Sequence, residues 1–289
     1  MPELSEPRTS TAPDLPSEGL GAFEAFAVRA LTRWNDSERA KRWVYCFVRY
    51  VSHTWIQAVI SNRLEIHGGD HLCGLTPPRG VLLIGNHRTF WDMYIATSVI
   101  AALSDFARRF YYPVRSRFFY THPLGFLINF AVSGGSMWPP MASGFDRAGR
   151  SAASLRRLAR VLDRPRTLAG LHPEGTRNHR PDPLDLLPAR GGAGRLVLEC
   201  HPEVLVVPFF LQGVTDDFVR EVIRNFSRPG HRGPPIQIAF GAPRPAGTLQ
   251  REIAPVVIAR ELLEEVRELG RRLSLDDEPP AEPPGSRPG

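Results

Sequence analysis

The sequence predicts an α/β protein: a central, mostly parallel sheet flanked by helices, with an N-terminal helical segment suited to a membrane surface. Three observations carry this. The runs at 80–85, 167–171, 204–210 and 236–240 are apolar without polar alternation, the pattern of strands buried on both faces of a parallel sheet. Segments with apolar residues at helical spacing lie between most of them, so strand and helix signals alternate. The length of 289 residues, with 42% apolar and 23% charged residues, is enough for one large domain of ordinary globular composition.

Residues 21–34 and 38–62 read as helices, the second carrying Trp43, Phe47 and Tyr50 at i, i+4, i+7 with Arg42, Arg49 and Arg63 nearby. Residues 64–67 alternate like a short strand, and Pro77-Pro78-Arg79-Gly80 is a turn into the first buried strand. A helical pattern follows over 91–103, then a strand over 109–114 and a helix over 123–132 ended by Gly134-Gly135. Residues 151–162 form an amphipathic helix with Leu155, Leu158 and Leu162 on one side and Arg156 and Arg160 on another. After the strand at 167–171 come a helix over 191–200, the last two buried strands, and a closing helix over 253–273. Residues 1–20 and 276–289 are rich in Pro, Ser and acid and read as disordered tails, having little apolar surface to offset the entropy of ordering. The organisation expected is therefore a tail (1–20), N-terminal helices (21–63), an α/β domain (64–275) and a second tail (276–289).

The formal net charge is +6, which favours anionic partners: a lipid surface, nucleic acid or a phosphorylated substrate. No zinc-finger spacing, RNP motif or basic-aromatic platform is present, so nucleic acid is not an expected partner. Cys46, Cys73 and Cys200 are scattered and odd in number, which fits a reducing compartment better than a disulfide framework. The first residues have no basic n-region or apolar h-region, and no run of 18 apolar residues occurs, so neither a signal peptide nor a spanning helix is expected. His67, His71 and Cys73 lack a fourth ligand, and no metal is expected.

Two stretches carry chemistry. Gly85-Asn86-His87-Arg88-Thr89-Phe90-Trp91-Asp92 follows a buried strand directly, and the carboxyl ends of parallel strands are where ligands bind. On one regular helix five residues turn about 500°, leaving His87 and Asp92 roughly 140° apart. They can pair only if His87 sits in the turn and Asp92 in the first helical turn. Asp92 would then hold one ring nitrogen and leave the other free as a general base. Alone, the pair reads more readily as a turn histidine and a helix N-terminal aspartate stabilised by the dipole. His172-Pro173-Glu174-Gly175-Thr176-Arg177 also follows a buried strand. An arginine at such a strand end suits a phosphate, whose oxygens match the guanidinium fork, although a structural Glu–Arg pair in a polar loop reads as well.

Together the two stretches, H-x-x-x-x-D and P-E-G-T-R, resemble the glycerolipid acyltransferase family, of which the 1-acylglycerol-3-phosphate acyltransferases are the best-known type. Gly144-Phe145-Asp146-Arg147 resembles the family's middle block and Val206-Val207-Pro208-Phe209 its last. The likeness spans about residues 64–245. It implies transfer of a fatty acyl group from acyl-CoA or acyl carrier protein to a hydroxyl of a lysophospholipid or glycerol phosphate. The acceptor it points to first is 1-acylglycerol-3-phosphate, giving phosphatidic acid. It implies His87 as general base and Asp92 as its orienting partner. Arg147 and Arg177 would hold the phosphate. Glu174, Gly175 and Thr176 would shape the site, with Gly175 letting a backbone N–H approach the oxyanion. No permanently bound cofactor is implied. His172 stands where an aromatic is usual, Asn178 where a serine is common, and Arg115 or Arg117 fits a basic position between the first two blocks. The implied place is the cytoplasmic face of a membrane, with peripheral attachment through 38–62. A non-catalytic lipid-binding protein of the same fold, or an acyltransferase with another acceptor, would keep the same blocks.

Overall fold

The computed structural model describes residue 15, residues 19–142 and residues 147–276. Most of both tails, residues 144–146 of the middle block and the side chain of Arg147 therefore lie outside the described residues. The chain opens with α1 (Ala22–Asp36) and α2 (Glu38–Cys46), a wider π-helical turn (Phe47–Ser52) and α3 (His53–Ile60). The segment expected as one helix over 38–62 thus stays helical but widens in the middle, where Ser52 Oγ donates to Val132 O and Arg49 Nη1 to Ala101 O.

The strands and helices that follow are β1 (Leu64–His67), β2 (Val81–Gly85), α4 (Asp92–Leu103), β3 (Arg109–Tyr111), β4 (Val114–Arg115), α5 (Ser116–Phe119), α6 (Pro123–Ser133) and β5 (Pro140–Met141). Then come α7 (Arg147–Leu162), β6 (Thr167–Leu171), α8 (Gly192–Glu199), β7 (Leu205–Gln212), α9 (Phe218–Phe226), β8 (Ile236–Phe240), β9 (Arg244–Pro245), α10 (Ala246–Leu249) and α11 (Pro255–Asp276). The expected strand over 109–114 is two pieces, β3 and β4, because Pro113 cannot donate to a ladder. Helix α9 is an addition to the elements expected from the sequence.

Among the described residues the main sheet runs β1-β8-β7-β2-β6-β3, with β9 beside β7. Pairs β1–β8, β2–β6, β2–β7 and β3–β6 are parallel, and β7 meets β8 and β9 antiparallel. Alternate residues of each strand enter opposite cores, as the period of two requires. Leu82, Ile84, Ala169, Val206 and Phe210 join one cluster with residues of α1, α7, α8 and α11. Val81, Leu83, Val207, Phe209 and Leu211 join the other, with Val44, Ile56, Val59, Ile60 and residues of α4. Both faces are covered, which is why the strands read as continuous apolar runs.

Two buried charged groups tie the outer elements to this frame. Lys41, the one lysine among 36 Lys and Arg, donates to Asn35 Oδ1 at 2.6 Å and Phe110 O at 2.9 Å. It also lies 3.6 Å over the Tyr111 ring. Burial pushes its pKa well below the usual lysine value. At the opposite edge of the sheet, before β1, Arg63 beyond α3 pairs with Glu221 of α9, both buried. Glu221 also accepts from Thr215 Oγ1 at 2.7 Å and Arg224 Nη1 at 3.1 Å.

Truncating Glu221 to Ala leaves the Arg63 charge buried without its carboxylate. The expected loss is about 3–5 kcal/mol of stability, read as a lower urea midpoint. Arg63→Met with Glu221→Leu should lose less than the single change, since no unpaired charge remains.

Candidate active site

Parallel pairing of β2 with β6 sets Ile84 beside Leu171, so the segments leaving the two strands run side by side. Asn86 starts the first of them. Its buried amide donates to Leu211 O at 2.8 Å and accepts from Leu211 N at 2.9 Å. The side chain thus continues the hydrogen bonding of β7 where the β2 backbone turns away. Gly85 before it has no room for a Cβ, which would lie 2.2 Å from the Phe209 ring.

His87 is gripped at both ends of its backbone. Its N–H donates to Glu174 Oε2 at 2.7 Å, and its carbonyl accepts from Asn178 N at 2.7 Å. Glu174 is fully buried, and its other oxygen accepts from Leu187 N at 2.8 Å and Asn178 Nδ2 at 3.3 Å. Burial pushes the Glu174 carboxyl up, and the N–H groups of Leu187 and His87 pull it back.

The His87 ring is held separately. Nδ1 lies 3.0 Å from Asp92 Oδ2. Asp92 is the first residue of α4 and is itself fixed by Arg88 N at 2.7 Å, Thr89 N at 3.0 Å and Thr89 Oγ1 at 2.6 Å. An acceptor there suits the orphan N–H groups and positive end of a helix N-terminus. Behind the ring, His172 stacks in parallel, with centroids 4.0 Å apart and planes 4° off. His172 Nδ1 lies 3.0 Å from Gly85 O. Burial, then the neighbouring His87, pushes His172 down to about 3, so it stays neutral at working pH. The His87 side chain is 24% exposed, which leaves it reachable.

His87, Asp92 and His172 are the one group of metal-ligating side chains among the described residues. It is poorly built for an ion. Ring nitrogens bind in the ring plane, and lone pairs of two stacked parallel rings run side by side instead of converging on one centre about 2 Å from each.

The P-E-G-T-R turn carries the positive charge. Gly175 has φ +64°, a left-handed conformation that favours glycine. Its N–H donates to His172 O at 3.0 Å, a bond that closes the turn itself. Arg115 Nη2 donates to Gly175 O at 2.7 Å. A Cβ on Gly175 would lie 3.0 Å from Arg190 Cδ, so Arg190 borders the turn as well. Arg177 Nη1 donates to Asp216 Oδ2 at 2.7 Å, and the other oxygen of Asp216 accepts from Phe90 N at 2.7 Å. Asp216 thereby joins the His87 segment to Arg177. Thr176 is partly exposed in the same turn. Arg147 opens α7, but its side chain is outside the described residues.

The family model described as Acyltransferase matches residues 63–212, a span that contains both strand-end segments. The chain belongs to the acyltransferase family. It is an O-acyltransferase with the α/β architecture expected, a mostly parallel sheet between helices. A search of curated proteins finds no match. Among solved structures it is similar to the 1-acyl-sn-glycerophosphate (LPA) acyltransferase PlsC from Thermotoga maritima, with 14% identity and a TM-score of 0.50. That likeness covers 86% of this chain and 87% of the other, so the shared fold extends beyond the matched acyltransferase segment.

Asn86, His172, Asp216 and Arg190 were not singled out in the sequence as site residues. Asn86 and His172 flank the two motifs and were open to notice. Asp216 and Arg190 had no local signal.

Unfolded His172 takes up a proton near its ordinary 6.5, and folded His172 only near 3. Between those values the unfolded state binds more protons, so stability falls as the pH falls through that window. His172→Phe keeps a stacking ring without the proton. Its melting temperature should fall less between pH 6.5 and 3 than that of the wild type.

Proposed function

We propose that this acyltransferase moves a fatty acyl group from a thioester, acyl-CoA or acyl carrier protein, to the free hydroxyl of a lysophospholipid or glycerol phosphate. The acceptor we favour is 1-acylglycerol-3-phosphate, giving phosphatidic acid. The observation that carries this reading is the His87 imidazole, held at Nδ1 by Asp92 and lying beside an arginine-bordered turn. With Nδ1–H donating to Asp92, Nε2 keeps a lone pair. It takes the proton of the acceptor hydroxyl as that oxygen forms its bond to the thioester carbonyl carbon. The tetrahedral intermediate collapses by breaking the C–S bond, and the imidazolium returns its proton to the departing thiolate. Asp92 stabilises the imidazolium between the two proton transfers.

In this reading Arg177 holds the acceptor phosphate, and Arg115 and Arg190 add positive charge beside it. Asp216 occupies one end of the Arg177 guanidinium, which has five N–H donors. Glu174 acts through the His87 backbone, Gly175 and Thr176 form the rim, and Arg147 is a further candidate for the phosphate. No bound cofactor or metal enters the reaction.

Such an acceptor is an amphiphile, and we place the enzyme at a membrane surface, peripherally and on the cytoplasmic face. No helix among the described residues is long and apolar enough to cross a membrane. Trp43 and Tyr50 of the 38–62 segment are exposed, as are Leu124 and Leu127 of α6, while Val44, Val48 and Ile56 face the core. The segment thus has one side for the sheet and one for lipid.

His87→Ala should lower turnover at least about 10²-fold, the lower range for loss of a general base, with the melting temperature nearly unchanged. Thiol release from acyl-CoA at the wild-type rate would overturn the mechanism.

Arg177→Ala should raise KM for a phosphorylated acceptor about ten- to a hundredfold, the worth of one charge-assisted bond, and leave KM for the donor unchanged. Product mass spectrometry with phosphorylated and phosphate-free acceptors checks it. Equal use of both acceptors by the wild type would remove the phosphate role from the arginines.

A further inference from the structure

Helix α9 carries an apolar face that the acyl-transfer chemistry does not use. Val219, Ile223 and Phe226 are 66%, 63% and 65% exposed. At about 100° per residue they fall within roughly 60° of one another. The opposite side of the helix is fixed in the protein. Glu221 is buried against Arg63, and Asn225, also buried, donates to Ala58 O at 3.1 Å and accepts from Asn62 N at 2.9 Å. The exposed stripe is therefore a set direction of a helix tied down by polar bonds on its other side.

The exposed charge around the stripe is mainly basic. Arg220, Arg228 and Arg232 are exposed beside it. The nearby acids are engaged: Glu221 is buried with Arg63 and Arg224, Asp217 caps the helix by accepting from Arg220 N, and Asp216 pairs with Arg177. Apolar side chains between arginines, on a surface helix, match the boundary between acyl chains and anionic head groups.

The helix also starts at the mouth of the site. Asp216, two residues before it, bonds Phe90 N and Arg177. The Phe218 ring lies 5.6 Å from Trp91, Trp91 is 4.9 Å from Phe90, and Phe90 is 6.2 Å from Phe119 of α5. This line of rings crosses the segment that carries His87 and joins α9 to α5, whose Phe118 is exposed.

We propose that α9 is a membrane-docking helix: Val219, Ile223 and Phe226 enter the surface of an anionic phospholipid bilayer, Arg220, Arg228 and Arg232 bind its head groups, and the mouth beside His87 is held against the lipid. This rests on the proposed use of a bilayer acceptor and names the surface that reaches it. It is separate from the aromatic side of the 38–62 segment.

The test uses the full chain and vesicles of phosphatidylglycerol with phosphatidylcholine, or of phosphatidylcholine alone. The wild type should sediment with the anionic vesicles. V219S/I223S/F226S should lower the partition at least about tenfold. R220E/R228E/R232E, which leaves the apolar stripe intact, should reduce binding to the level seen with phosphatidylcholine alone. Both variants should keep wild-type turnover on a monomeric, short-chain acceptor and lose it on acceptor embedded in vesicles. Wild-type binding by the serine variant would overturn the proposal, as would a wild type that ignores anionic vesicles. A wild-type dimer that the serine variant converts to a monomer would assign the stripe to a second copy of the chain and overturn it too. Failure of the proposed acyl transfer shows separately, as absence of product from the monomeric acceptor whatever the vesicle result.

Discussion

The Glu174 carboxylate is the contact on which the site's geometry depends. It stands just beyond β6, fully buried, and takes N–H groups from three separate pieces of chain: His87 after β2, Leu187 before α8, and the Asn178 side chain. A buried carboxylate is tolerable only when such donors surround it. Its need for donors and their need for an acceptor are met by one arrangement of the three segments. Asn178 closes the clamp from the other side by donating its N–H to the His87 carbonyl. The backbone of His87 is thus set by the second motif, 87 residues away, before any question of its ring arises.

With the backbone held, two side chains position the imidazole in different ways. Asp92 acts through a directional bond to Nδ1 and is itself held by three donors of its own turn. His172 acts through its face, stacked on the ring and kept neutral by burial. A second charged imidazole at that distance would repel an imidazolium, and a neutral one does not. Division of labour of this kind, with backbone, ring plane and tautomer fixed by different residues, is what preorganisation of a proton acceptor requires.

The sheet decides what can surround this centre. Both its faces are covered, by α1, α7, α8 and α11 on one side and by the α2–α3 segment and α4 on the other. The polar groups of the site lie at the strand ends, where the backbone leaves the ladder. Asn86 shows how that exit is made without loss, its amide replacing the bonds that the β2 backbone no longer gives to β7. Asp216 then links the exit of β2 to Arg177 and to the start of α9. Arginine turn, histidine turn and exposed helix are in this way parts of one rim.

The sequence alone determined the α/β class, the buried strands, and the two strand-end motifs with their residue types. These follow from local rules: strands buried on two faces must be apolar at every position, and a turn after a strand needs its glycine or proline. The His87–Asp92 pairing was legible for the same reason, since it spans a single turn. The wider π turn inside 38–62 and the whole of α9 were not: a π turn keeps a helical pattern, and nine residues are fewer than the roughly 11–18 over which helical periodicity is told from a loop. Nor were the through-space partners: Glu174 on the His87 backbone, His172 on its ring, Asp216 on Arg177. Each joins positions 39 to 87 residues apart. Only the packing of β2 against β6 and β7 brings them within hydrogen-bonding or stacking distance, because such contacts depend on register and layer order, which no local pattern records.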